Sequence, residues 1–246
     1  MSKFLLIGAL LSFLIAGCFP SPESASSPGI ISSAIPSPIY TPTIIFPTLT
    51  IPAIPIPIET ISPIPEPFGC QNPPDDYTRV EVNGETLNQR TISMLAHAQE
   101  LYGGELELTG YAITQGSYTD SVAASFGTHQ GGGAVDLSVL KPGTYTVLWD
   151  DIVLVLHALR VAGFAAWLRD YGELYPDSPI HIHAIAIGDQ ELSPAAQEQL
   201  TGPAGYFRGY SGLPFAENET PTPDRYGNGS PILCQWMIDL GYQDLR

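Results

Sequence analysis

The chain has 246 residues, of which 25 are acidic and nine basic, giving a formal charge of −16. Such a charge excludes polyanion binding, because nucleic acid and anionic lipid surfaces repel it. The 44% hydrophobic content supports a globular core, while the sequence contains no Walker motif, dinucleotide glycine pattern, collagen repeat or other internal repeat.

The first residues, "MSKFLLIGALLSFLIAGC", run from Lys3 through an apolar stretch to Ile15-Ala16-Gly17-Cys18. Residues 1–17 read as a signal peptide, too short for a retained membrane span. The small residues before Cys18 resemble a bacterial lipobox. That resemblance implies cleavage before Cys18, its lipidation, and an extracytoplasmic chain anchored to the bacterial cell membrane; each buried methylene of an acyl chain contributes about 0.8 kcal/mol. Residues 18–68 carry this cysteine and a run rich in proline and nearly free of charge, "SPSPIYTPTIIFPTLTIPAIPIPIETISPIPEP". Proline removes backbone donors and fixes φ, so neither a helix nor a central strand persists there. The segment reads as a semi-rigid polyproline II stalk reaching, at ~3.1 Å per residue, on the order of 150 Å.

Residues 69–246 are expected to form one domain, α+β in class, with a small, mainly antiparallel central sheet flanked by helices. Two cysteines remain, Cys70 and Cys234, at the start and end of this region. An exported chain sits where thiols oxidise, so a disulfide between them is the economical reading; a zinc pair would need closer spacing. "TLNQRTISMLAHAQELYGG" reads as an amphipathic helix with Thr86 and Gln89 in capping-box spacing and an end at Gly103-Gly104. "ELELTGYAI" alternates like a half-buried strand, and a loop then leads to a strand over Ala134 to Val139. "DDIVLVLHALRVAG" reads as a buried helix, too short to cross a membrane, followed by strands in "FAAWLRDY" and "IHIHAIAIG" and a short helix in "IGDQELSPAAQEQL". Beyond it the composition turns irregular, rich in Gly, Pro and Tyr, before Cys234 and "QWMIDLGY" return to the core.

Five histidines carry the chemical possibilities. His97 shares a helical face with Arg90, Ser93 and Glu100 and reads as a solvated surface residue. His157 reads as a core or flank histidine of an apolar helix. His181 and His183 differ, because residues i and i+2 of a strand project from one face and stand side by side. Together with His129 and Asp136 they offer imidazole nitrogen and carboxylate oxygen, the donors zinc prefers. Three such ligands leave an open position, as a catalytic zinc site requires. Gly131 to Gly133 let the chain turn tightly between His129 and the strand bearing Asp136.

"THQGGGAVDL" matches an H-x-x-G-x-A-x-D pattern and "HIHAI" a later H-x-H. In this the chain resembles the zinc peptidases that include D-Ala-D-Ala carboxypeptidases, lysostaphin-type endopeptidases and the hedgehog domain, over about Leu87 to Ile187. The resemblance implies Zn2+ held by His129, Asp136 and His183 on the sheet face. It implies that His181 stabilises the oxyanion or donates a proton, and that Asp177, or Glu173 in its place, acts as general base. It implies peptide-bond hydrolysis in peptidoglycan stem peptides or cross-links, with a non-catalytic, zinc-stabilised binding module as the alternative. Carboxypeptidases of the group carry a carboxylate-binding arginine where this chain has Ala112, which leaves Arg208 or Arg225 to supply that charge.

Overall fold

The structure, a computed structural model, describes residues 66–227 and 231–246. The expected signal peptide, Cys18 and the stalk up to residue 65 lie outside the described residues. Within them the fold is mixed α+β, with two small antiparallel sheets and four helices.

A hairpin comes first: β1 (Arg79–Val82) pairs with β2 (Glu85–Asn88) around Asn83-Gly84, both at positive φ. Asn-Gly is the pair that tolerates this geometry best, and the turn's twist matches that of the strands. Helix α1 (Gln89–Tyr102) follows directly. Its cap is Asn88, whose Oδ1 accepts from the Thr91 amide at 2.8 Å, so the helix starts later than the Thr86–Gln89 capping box predicted, and Thr86 lies in β2. Gly103 closes it in the left-handed conformation, returning its N–H to Gln99 O, at the end the sequence predicted.

The expected strand in "ELELTGYAI" is instead a series of turns, and β3 is only Ile113–Gln115. Leu106 and Leu108 are nevertheless buried, so the alternation reports which side chains face inward. The backbone there bonds to itself, Gly110 N to Glu107 O and Ile113 N to Gly110 O, and has no neighbouring strand.

The central sheet has the order β3-β4-β6-β5, with β4 at Ala134–Ser138, β5 at Phe164–Arg169 and β6 at His181–Ala186, all neighbours antiparallel. Helix α2 (Trp149–Val161) precedes β5, with Asp150 and Asp151 in its first turn, where the helix dipole favours negative charge. Leu137, Ile182, Ala184 and Leu168 pack one sheet face against α1 and α2, while Ala165, Trp167 and Ile185 pack against the C-terminal half. Each buried Leu or Ile contributes roughly 1.5–3 kcal/mol relative to exposure. Helix α3 (Pro194–Thr201) is capped by the Ser193 hydroxyl, and the short α4 (Gln235–Asp239) follows Cys234. Cys70 and Cys234 are disulfide-bonded. No helix among the described residues is long and apolar enough to cross a membrane.

The face of α1 expected to be solvated is covered. Arg90 is buried, donating to the carbonyls of Pro73, Pro74 and Ile187, and half-buried His97 holds Gly69 O at 2.7 Å through Nε2. The segment beginning at the disulfide lies over this face and converts its polar residues into tethers. His157 is exposed on α2.

Candidate metal centre

Strand periodicity assembles the site. Asp136 on β4 pairs with His183 on β6, His183 with Trp167 on β5, and His181 with Arg169. Cross-strand partners share a face, so these five side chains project from one side of the sheet. The alternate residues supply the apolar core on the other. Trp167 stacks on the His183 ring at 6.0 Å and 14°, fixing its plane.

His129 arrives from outside the sheet, on a single 3-10 turn (Thr128–Gln130). The turn is held by the Ser193 hydroxyl, which donates to Thr128 O at 3.1 Å, and by Thr119 N, which donates to His129 O at 2.9 Å. The three glycines then bring the chain into β4. Gly133 has φ +76°, and a Cβ on Gly131 would run into backbone atoms of Glu191 and Ser193. Gly131→Ala is therefore expected to destabilise the domain by about 1–3 kcal/mol through overpacking against backbone. It should also weaken metal binding by displacing His129. Thermal melts and metal titration of the variant check both; unchanged melting and affinity would show the turn to be more tolerant than the packing indicates.

Buried His129, Asp136 and His183 bring one ligand atom each within 4.8 Å of one another, a group able to hold a metal ion. His129 Nδ1 donates to Gly116 O at 2.6 Å, which turns Nε2 to the site, 3.3 Å from Asp136 Oδ1 and without a hydrogen-bond partner among the described residues. His183 Nδ1 lies at hydrogen-bond distance, 2.7 Å, from the same carboxylate oxygen, and its Nε2 lies 3.0 Å from Gln199 Oε1; a neutral ring donates to only one of these two acceptors. Two imidazole nitrogens and a carboxylate oxygen thus converge in a largely buried space, where the carboxylate charge is offset either by a proton on an imidazole or by a metal cation. The outward hydrogen bonds of both rings are those that orient metal-ligating histidines.

The protonation tendencies of the two rings differ. Burial, only partly offset by Asp136, holds His183 down to about 4, so it is a neutral imidazole at physiological pH. Burial works against the charge on His129 too, but the Asp136 carboxylate and Gly116 carbonyl outweigh it and raise its value. Burial opposes ionisation of Asp136, yet the two histidines hold its carboxyl well below the usual range.

The remaining expected residues lie at different distances from this centre. His181 lines the cavity beside it: its Nδ1 donates to Pro179 O at 2.9 Å, so the bare Nε2 faces Asp136 Oδ2 at 3.7 Å. Asp177 is exposed, with φ +65°, on the turn between β5 and β6, and does not line the cavity. Glu173 accepts from the Asp170 amide at 2.7 Å and pairs with Arg225 at 3.5 Å. Arg208 is exposed, and Arg225 is held by Asp170 at 2.8 Å; neither lines the cavity. Ala112 is fully buried in the apolar core.

Sequence reasoning missed Gln199 and Arg169, both in the cavity wall. Arg169 was legible in principle, since it alternates with Trp167 on a strand next to the H-x-H strand. Gln199, from α3, was not. A second cavity beyond Ser125 and His181 and a third beyond Phe126 and Leu213 leave room for a ligand on either side. Compared with family models, with curated proteins and with solved structures, the chain matches none of them.

Proposed function

We propose that the domain is a zinc-dependent peptidase, in the manner of the D-Ala-D-Ala carboxypeptidase and lysostaphin group its motifs resemble. The observation that carries this reading is the convergence of one ligand atom each from His129, Asp136 and His183, within 4.8 Å of one another, beside His181 Nε2 in one cavity wall. Two imidazoles and a carboxylate suit zinc best among the common divalent ions. Zinc held there would polarise a scissile carbonyl and lower the pKa of water toward ~7.

The chain's own residues would do the rest. His181 is oriented by the Pro179 carbonyl so that Nε2 can take a proton from the attacking water and return it to the leaving amine. This gives it the acid–base role expected of Asp177, which stands outside the cavity. Trp167 and Gln199 hold the His183 ring with Nδ1 toward Asp136. The substrate class, peptidoglycan stem peptides or cross-links, comes from the sequence: the expected export, lipid anchor at Cys18 and long stalk suit a cell-wall polymer.

The exposed position of Asp177 favours a second reading, a zinc-stabilised binding module of hedgehog-like fold that does not turn over. Incubating the zinc-loaded full chain with purified muropeptides decides between them. The peptidase reading expects new amino termini, a rate at least about 100-fold lower in His181→Ala, and full zinc content retained in that variant. Zinc bound at one equivalent with no cleavage of any muropeptide would leave the binding module.

A further inference from the structure

Arg169 ends β5 and is only 2% exposed, and neither terminal guanidinium nitrogen has a hydrogen-bond partner among the described residues. Its guanidinium lies over the Trp167 ring, 5.4 Å from the centroid, but burying one without hydrogen-bond partners is costly, and folded chains rarely tolerate it without a use. The acids around it are engaged elsewhere. Glu173 serves the Asp170 amide and Arg225, Asp224 pairs with Arg160 at 2.6 Å, and Asp136 faces the histidines. Arg169 lines the same cavity as the metal group and is the direct cross-strand partner of His181. Burial draws its pKa down to about 10, which still leaves it charged at neutral pH.

A divalent ion on His129, Asp136 and His183 changes the local balance. With the ion, the charges of Arg169, Asp136 and the metal leave the cavity two net positive charges. Such a wall calls for an anion. We propose that Arg169 is the anion anchor of the metal pocket, holding a carboxylate of the ligand beside the ion through the donors that have no hydrogen-bond partner among the described residues. The inference rests on the metal-centred reading above and narrows its ligands to peptides that present a carboxylate at the reacting end. It also assigns the charge to a residue other than Arg208 or Arg225.

The test titrates the zinc-loaded full chain calorimetrically with N-acetylglycine and with its uncharged amide, in wild type, Arg169→Met and Arg169→Lys. Wild type is expected to bind the acid and discriminate against the amide. Arg169→Met should lose about ten- to hundredfold in affinity for the acid, the worth of a charge-assisted hydrogen bond, with one zinc per chain retained. Arg169→Lys should recover part of that loss. Arg169→Met should also melt at a higher temperature than wild type, because a buried unpaired charge is removed; a purely structural arginine predicts the opposite. Equal affinity for acid and amide in the zinc-loaded wild type, or an unchanged affinity for the acid in Arg169→Met, overturns the inference while leaving the metal centre intact. A chain that binds no zinc overturns both.

Discussion

Replacing His129 or Asp136 by alanine is expected to abolish stoichiometric metal binding, with affinity falling by more than about a hundredfold. Removing the outer hydrogen bond with Gln199→Ala should cost about 10–100-fold. The two ligand variants remove one of only three protein donors, whereas Gln199 only fixes which nitrogen His183 presents. His97→Ala and His157→Ala should leave metal content unchanged, since neither ring belongs to the group. Acid should release the metal in a defined sense. The free site protonates His129, whose pKa lies above its ordinary 6.5, and the loaded site cannot. Affinity therefore falls as pH drops through that raised value and recovers above it, while His183 adds a further loss only near pH 4. Equilibrium dialysis with metal analysis across this pH range measures the whole set, and one equivalent retained by His129→Ala would refute the ligand assignment.

Opening the disulfide should produce the largest loss of stability of any change outside the core. Cys70 and Cys234 are separated by 164 residues in sequence, and cross-linking so long a loop removes roughly 5 kcal/mol of conformational freedom from the unfolded chain in the loop-entropy description. The double variant Cys70→Ala/Cys234→Ala is expected to lose about 4–5 kcal/mol, lowering the melting temperature by on the order of 10–20 °C. Reductant should do the same to the wild type and nothing further to the variant. The bond also pins the segment that covers Arg90 and His97, so amide exchange should rise in α1 and residues 69–76. A loss below about 1 kcal/mol would mean that the unfolded chain is already constrained at its ends.

These effects depend on features of unequal legibility in the sequence. The helices over α1, α2 and α3 and the strands β4, β5 and β6 follow from local periodicity and from capping residues, which act within a few positions. The β1–β2 hairpin is equally readable in "VEVNGETL", because Asn-Gly between alternating residues is a strong turn signal. The strand expected in "ELELTGYAI" failed for a different reason: alternation reports burial on two sides, whereas a strand also needs a neighbour to accept its hydrogen bonds, and none lies alongside residues 105–110.

For the site, the sequence by itself determined which atoms are available: two imidazoles and a carboxylate in paired motifs, and a glycine turn able to bring the first histidine to the sheet. Ligand chemistry resides in residue type, and strand period two places His181 and His183 on one face without further information. Tertiary structure alone decided the protonation and the surroundings. Which nitrogen of each ring is turned to the site depends on Gly116, Pro179 and Gln199, 13, 2 and 16 residues from their partners. That Asp177 stands in solvent and Arg169 in the cavity depends on a turn conformation and on the register between β5 and β6. Hydrogen bonding and burial are properties of neighbours in space, and the pattern along the chain determines those neighbours only where they are also close in sequence.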